Sequence, residues 1–256
     1  LVQAVFAFGP FVRVTLAVNN LGLGPIVEKG TPEQREKYMR ACAPLQPGED
    51  RKVWRAAFAL TEPLPYVGVD TGVVSGRVTI AKWEEGQEPI LHVEKRGRFL
   101  TNMAVANIVT AAVETGDPRI KTSCMVILED TDEGVFDRGA PTHKLVHQLS
   151  NTHDPIFSLD IPANRIVGGY TIKDGVIVPN LTHSEIIEAV FSRTRVAVGL
   201  MTAEPSLVDA SLDTMGEVAG DTHVIVHACP EHVVDVYRGR IEGVRRRASF
   251  MLRPWI

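Results

Sequence analysis

The spacing of apolar and polar positions changes its period twice along this chain. Residues 1–8 form an apolar run, Gly9-Pro10 interrupts it, and residues 11–21 resume with Val, Leu and Asn mixed, which reads as helix. Thr31-Pro32-Glu33-Gln34 is a helix start, with a Thr cap, Pro at the first helical position and Gln three residues after the cap. It predicts a helix to about Ala41, stopped by Pro44 and Pro47-Gly48. From Arg55 to Gly169 the pattern becomes short β-type runs between turn residues. The predicted strands are 56–60, 72–83, 90–93, 99–102, 107–114, 120–129, 144–148 and 156–161. Glu84-Glu85-Gly86, Thr115-Gly116-Asp117-Pro118 and the stretch 130–134 supply the turns. Such regular spacing predicts a compact antiparallel barrel or sandwich.

Helix returns at Thr182, where Thr182-His183-Ser184-Glu185 forms a capping box ahead of the apolar face Ile186, Ile187, Val190 and Phe191, and Pro205 should kink or end it. Beyond Met215 only a strand at 224–226 and an amphipathic helix at 233–244 suggest themselves, with a basic ending at Arg245, Arg246 and Arg247. The expected fold class is α+β. An N-terminal helical segment (1–54) precedes a central antiparallel β-barrel or sandwich (55–175), and a C-terminal helical segment (176–256) follows.

Composition adds exclusions. Hydrophobic residues make up 45% of the 256 and charged ones 23%, the mix of an ordinary globular protein. A net charge of −4 gives no reason to expect nucleic acid or an anionic membrane as partner. The best apolar stretch, 2–18, is broken by Gly9-Pro10 and carries Arg13, so no membrane span is expected. Cys42, Cys124 and Cys229 are few, odd in number and far apart, which argues against a disulfide framework and for a reducing compartment. The chain reads as soluble and cytoplasmic.

Two places carry candidate chemistry. Thr61-Glu62-Pro63 follows an apolar strand and precedes an irregular stretch with Pro65 and Gly68, which offers backbone N–H groups and a hydroxyl to an anionic or heteroaromatic ligand. By itself such a tripeptide is an ordinary strand-ending turn. His223, His227, Cys229 and His232 are the right types for zinc, but their spacing fits no common ligand set, so a metal-free cluster is expected.

The order of further segments is informative. Residues 26–43 place a Gly before a helix rich in Glu, Gln and Lys, just ahead of Phe58-Ala59-Leu60-Thr61-Glu62-Pro63. Phe99-Leu100-Thr101-Asn102, Leu149-Ser150-Asn151-Thr152, Asn164-Arg165-Ile166-Val167-Gly168 and Phe191-Ser192-Arg193-Thr194-Arg195 then follow. This succession resembles the acyl-CoA dehydrogenase family, whose middle β-domain carries a Thr-Glu-Pro turn and a Trp-Ile-Thr strand that clasp a flavin. The resemblance implies FAD as cofactor, with Phe58, Leu60, Thr61, Phe99, Leu100 and Thr101 at the flavin. Phe99 would stack where the family usually has Trp, and Thr101 would hydrogen-bond near the reactive nitrogen. Arg193, Thr194 and Arg195 would meet the coenzyme A part of an acyl-CoA substrate. It further implies α,β-dehydrogenation, electron transfer to an electron-transfer flavoprotein, and a homo-oligomer.

Three departures qualify what the resemblance implies. The stretch Leu64-Pro65-Tyr66-Val67-Gly68-Val69-Asp70 is longer than the family's and has Val69 where a flavin-contacting Ser is usual. Nothing between Leu212 and Ile256 matches the family's Arg-x-x-Phe-Gly element. The catalytic glutamate of most relatives would fall beyond the last recognisable residue, and Thr194 occupies the place of the base used by some branches, so no catalytic residue is assigned. The chain is therefore expected to be a truncated or divergent member. A non-catalytic binding or assembly subunit and an acyl-CoA oxidase are the alternatives.

Overall fold

The structure, a computed structural model, describes residues 21–63, 74–142 and 152–190. All of these lie in one compact unit, Phe8–Ser192. The predicted strand at 144–148, the first apolar run and everything after Val190 lie outside the described residues.

Residues 21–29 are helical (α1), and α2 is Pro32–Cys42. The strands are β1 (Ala56–Ala59), β2 (Arg77–Lys82), β3 (Ile90–Arg96), β4 (Leu100–Thr101), β5 (Ile108–Thr115) and β6 (Cys124–Glu129). They continue with β7 (Glu133–Asp137), β8 (Thr152–His153), β9 (Ile156–Pro162), β10 (Tyr170–Lys173) and β11 (Val176–Pro179). Helix α3 is His183–Val190. The main sheet has seven strands in the order β1-β5-β2-β3-β9-β7, with β6 also paired to β5. It is mixed: β5 runs parallel to both β1 and β2, and the remaining pairs are antiparallel. The antiparallel expectation thus holds for most of the sheet and fails at β5.

Two apolar clusters explain the sequence pattern. Ala57, Ala59, Val109, Ala111, Val126 and Leu128 point into the interior that β3 and β9 share through Leu91, Val93, Phe157 and Leu159. Ala56, Phe58, Leu60, Ile108, Met125 and Ile127 point the other way, against Leu23 and Ile26 of α1, Tyr38 of α2 and Ile186 of α3. Strands buried on both faces need continuous apolar runs rather than alternation, which is how β1, β5 and β6 read in the sequence. Helix α1 approaches so closely that a Cβ on Gly22 would stand 2.7 Å from the Ala57 nitrogen, and Thr110 Oγ1 donates to the Gly22 carbonyl at 2.9 Å.

Helix α2 begins as its sequence dictates. Gln34 N–H donates to Thr31 Oγ1 at 3.3 Å and Thr31 N–H donates to Gln34 Oε1 at 3.0 Å. The same Gln34 amide reaches across the fold, donating to the carbonyls of Asn164 and Ile166, each at 2.7 Å, and accepting from Gly168 N–H at 3.2 Å. Tyr38 and Lys37 donate to Glu129 Oε1, both at 2.7 Å. Gln34→Leu keeps the volume but leaves the Asn164 carbonyl and the Gly168 N–H without this partner, and the Ile166 carbonyl with Gly169 N–H alone. We expect it to lower stability by about 2–3 kcal/mol, read as a lower urea midpoint at an unchanged slope.

Candidate functional site

Strand β1 delivers the chain into Leu60-Thr61-Glu62-Pro63. Leu60 is buried with Phe58 in the helix-facing cluster, and Thr61 is half-buried where the chain leaves the sheet. Glu62 is fully enclosed. Its carboxylate accepts from Ser75 N–H (2.5 Å) and Gly76 N–H (3.0 Å) and pairs with the Lys95 ammonium, whose side chain, like that of Glu62, is 0% exposed. Burial pushes the Glu62 carboxyl up, but the Lys95 charge and the hydrogen bonds from Lys95, Ser75 and Gly76 outweigh it and hold it below the usual range. Burial draws the Lys95 ammonium down, opposed by Glu62.

The second segment lies alongside. Arg98 N–H donates to the Thr61 carbonyl at 3.0 Å, three residues past Lys95. Phe99 then adopts a left-handed backbone (φ 58°), as does Asn102 (φ 68°), bracketing the short strand β4. Left-handed geometry suits Asn and is strained for Phe, so something must hold it. Phe99 N–H donates to Asp154 Oδ1 at 2.8 Å, and the Arg98 guanidinium sits 4.6 Å from the Phe99 ring centroid. Phe99 is left 43% exposed. Leu100 turns inward, and Thr101, half-buried, pairs in register with Thr152 of β8. Asn102 Nδ2 donates back to the Ala56 carbonyl of β1 at 3.4 Å.

The structure therefore joins Thr61 to the Phe99–Thr101 segment and places Phe58, Leu60 and Leu100 in the packed layers behind them. Among the described residues no hydrogen-bond partner takes up the hydroxyl of Thr61 or Thr101. Arg193, Thr194 and Arg195, Val69, and the cluster of His223, His227, Cys229 and His232 all lie outside the described residues. Among those described, no group of three or more His, Cys, Asp and Glu is arranged to hold a metal ion. None of their helices is long and apolar enough to cross a membrane.

Beside the ion pair lies a shallow cleft of about 490 Å³, lined by Pro63, Ser75, Gly76, Lys95, Arg96 and Ser158 among others. Near its rim Ser158 Oγ is 3.4 Å from His92 Nε2, and His92 Nδ1 is 2.6 Å from Asp160 Oδ1. The order of groups is that of a nucleophilic relay. However, Ser158 sits in β9, whose neighbours β3 and β7 engage its backbone on both sides, so those amides are not free to stabilise an oxyanion.

Sequence reasoning missed Lys95, Asp154 and the enclosed role of Glu62. Lys95 had a local signal: it shares its parity on β3 with the buried Leu91 and Val93, an inward position for a charge that requires a partner.

No protein-family model and no curated protein sequence matches the chain. Solved structures do. Butyryl-CoA dehydrogenase from Megasphaera elsdenii aligns over 97% of this chain at 20% identity with a TM-score of 0.62. An FAD-dependent dehydrogenase aligns over 95% at 15% identity and a TM-score of 0.62. Acyl-CoA dehydrogenase from Geobacillus kaustophilus aligns over 94% at 18% identity and a TM-score of 0.57. The chain spans 58%, 61% and 60% of the length of these three proteins. The helices and the curled sheet are thus arranged as in an acyl-CoA dehydrogenase-like fold.

Proposed function

We propose that this chain binds FAD where Thr61 meets Phe99–Thr101, and that it acts in the α,β-dehydrogenation of an acyl-CoA thioester. One observation carries the proposal: two segments distant in sequence are tied by the Arg98 N–H to Thr61 carbonyl bond, in a fold shared with an FAD-dependent dehydrogenase. The donor set suits the group. Two hydroxyls without intramolecular partners among the described residues and a part-exposed aromatic side chain, carried by the two joined segments, match a flat heteroaromatic with polar edges.

When bound, the flavin supplies the acceptor for hydride. In this reading Thr61 and Thr101 would hold its polar groups by hydroxyl hydrogen bonds, and Phe99 would offer it an aromatic contact. Phe58 and Leu60, buried toward the helices, and Leu100, buried in the sheet interior, would anchor the two segments by packing. Glu62 is enclosed and paired with Lys95, so it is not the base. A base must reach the carbon next to the thioester carbonyl, and we assign none. Arg193, Thr194 and Arg195 are the proposed contacts to coenzyme A, an electron-transfer flavoprotein the proposed acceptor, and a homo-oligomer the proposed assembly. Burial pushes the free Cys124 thiol up to about 12 and Cys42 up to about 11, so both are poor nucleophiles; a cytoplasmic setting is the proposed localisation.

The purified protein is expected to be yellow, with flavin absorbance that bleaches when an acyl-CoA is added without oxygen. A colourless protein that takes up no added FAD rejects the proposal. A yellow protein that no acyl-CoA bleaches is a binding subunit, and peroxide formation in air identifies an oxidase.

A further inference from the structure

We infer that the Glu62–Lys95 ion pair is the latch that sets the spacing between the two flavin-contacting segments, a positioning role that rests on the FAD reading above. β1 pairs with β5 over Ala56–Ala59, and β2 pairs with a later stretch of β5, at Arg77 and Val78, with β3 beside it. No ladder among the described residues joins β1 to β2 or to β3. Their ends meet instead through the Lys95–Glu62 pair and the Arg98 N–H to Thr61 carbonyl bond. Glu62 also accepts from Ser75 and Gly76, the residues that lead into β2, so one carboxylate gathers the end of β1, the start of β2 and the end of β3.

An apolar plug would close the same gap without desolvating two charges. What it would lack is direction. A carboxylate with two backbone donors and one ammonium admits a single arrangement of three chain segments, whereas packed methylenes tolerate sliding. Thr61 adjoins Glu62, and Phe99 adjoins Arg98, so displacement of the latch moves the candidate flavin contacts themselves.

The test uses the full chain with Glu62→Gln and Lys95→Met combined, which removes both charges and leaves neither stranded. The double variant is expected to melt near the wild-type temperature. Its Arg98 amide should exchange hydrogen at least tenfold faster while amides in the core of β5 are unchanged, and its FAD dissociation constant should rise at least tenfold. Glu62→Asp keeps the pair but draws the carboxylate back by one methylene, and should give a smaller acceleration in the same direction. Wild-type exchange at Arg98 in both variants overturns the inference, as does equal acceleration throughout β5, which would mark a general loss of stability. If the wild-type chain takes up no FAD, the cofactor reading fails, and exchange at Arg98, measured without flavin, still decides the latch.

Discussion

Lys95→Met alone is expected to remove about 3–5 kcal/mol of stability at neutral pH, far more than the double variant with Glu62→Gln. The methionine fits the volume, so the loss comes from the Glu62 carboxylate, left in a fully enclosed position with only Ser75 and Gly76 to solvate it. Against a typical total of about 5–15 kcal/mol, that is a large fraction. The pH dependence identifies the cause. In the wild type Glu62 is held below its unfolded pKa, so its contribution is present above about pH 4 and disappears as pH falls through the folded value. In the variant the ammonium is gone and burial dominates, which raises the Glu62 pKa. Protonation then relieves the variant as pH falls. The gap between the two proteins in thermal melts should therefore be widest at pH 7 and narrow on acidification. A gap that stays constant with pH would mean that lost packing, not a stranded charge, causes it.

Gly139→Ala is expected to cost roughly 2–5 kcal/mol, combining a left-handed backbone with a clash that cannot relax. Gly139 has φ 70°, and an added Cβ would stand 1.9 Å from the Asp154 carbonyl oxygen. Asp154 is also the acceptor that holds Phe99 N–H, so the strain is passed to the candidate site. Gly175 is the matched control: its φ is 73° but a Cβ there meets nothing within 4 Å. Gly175→Ala should show only the backbone part, about 1 kcal/mol. Denaturant melts of the two variants separate the terms, and a shifted Phe99 amide resonance in Gly139→Ala alone would report the transmission. Equal losses would remove the clash from the argument.

Elements written locally were the legible ones. The Thr31 cap and its Gln34 partner lie within one turn, and the helix formed as its residues indicate, ending at Cys42. The runs that became β1, β5 and β6 were visible because burial on both faces demands unbroken apolar sequence. Strand β7 was not visible. Its residues are mostly exposed, so Glu133 and Gly134 read as part of a turn, and only pairing with β9 makes them extended. The β10–β11 hairpin was overlooked although Asp174-Gly175, both left-handed, is the two-residue turn that such hairpins favour. The motif threonines could be named from sequence order. The Glu62–Lys95 closure could not, because it depends on β1 and β2 pairing with successive stretches of β5, and a parallel pairing at β5 leaves no mark on local periodicity.

That parallel pairing bears on how the chain acquires its structure. Ala56 sits beside Ile108, with β2, β3 and β4 intervening along the chain, so the β1–β5 ladder must wait for a distant segment. Such non-local pairing slows assembly. During the delay the outer side of β1, β5 and β6, later roofed by α1, α2 and α3, is a bare oily plane. Nascent chains should then stick to one another unless dilute or chaperoned, and helix docking, rather than sheet formation, is the step that ends their vulnerability.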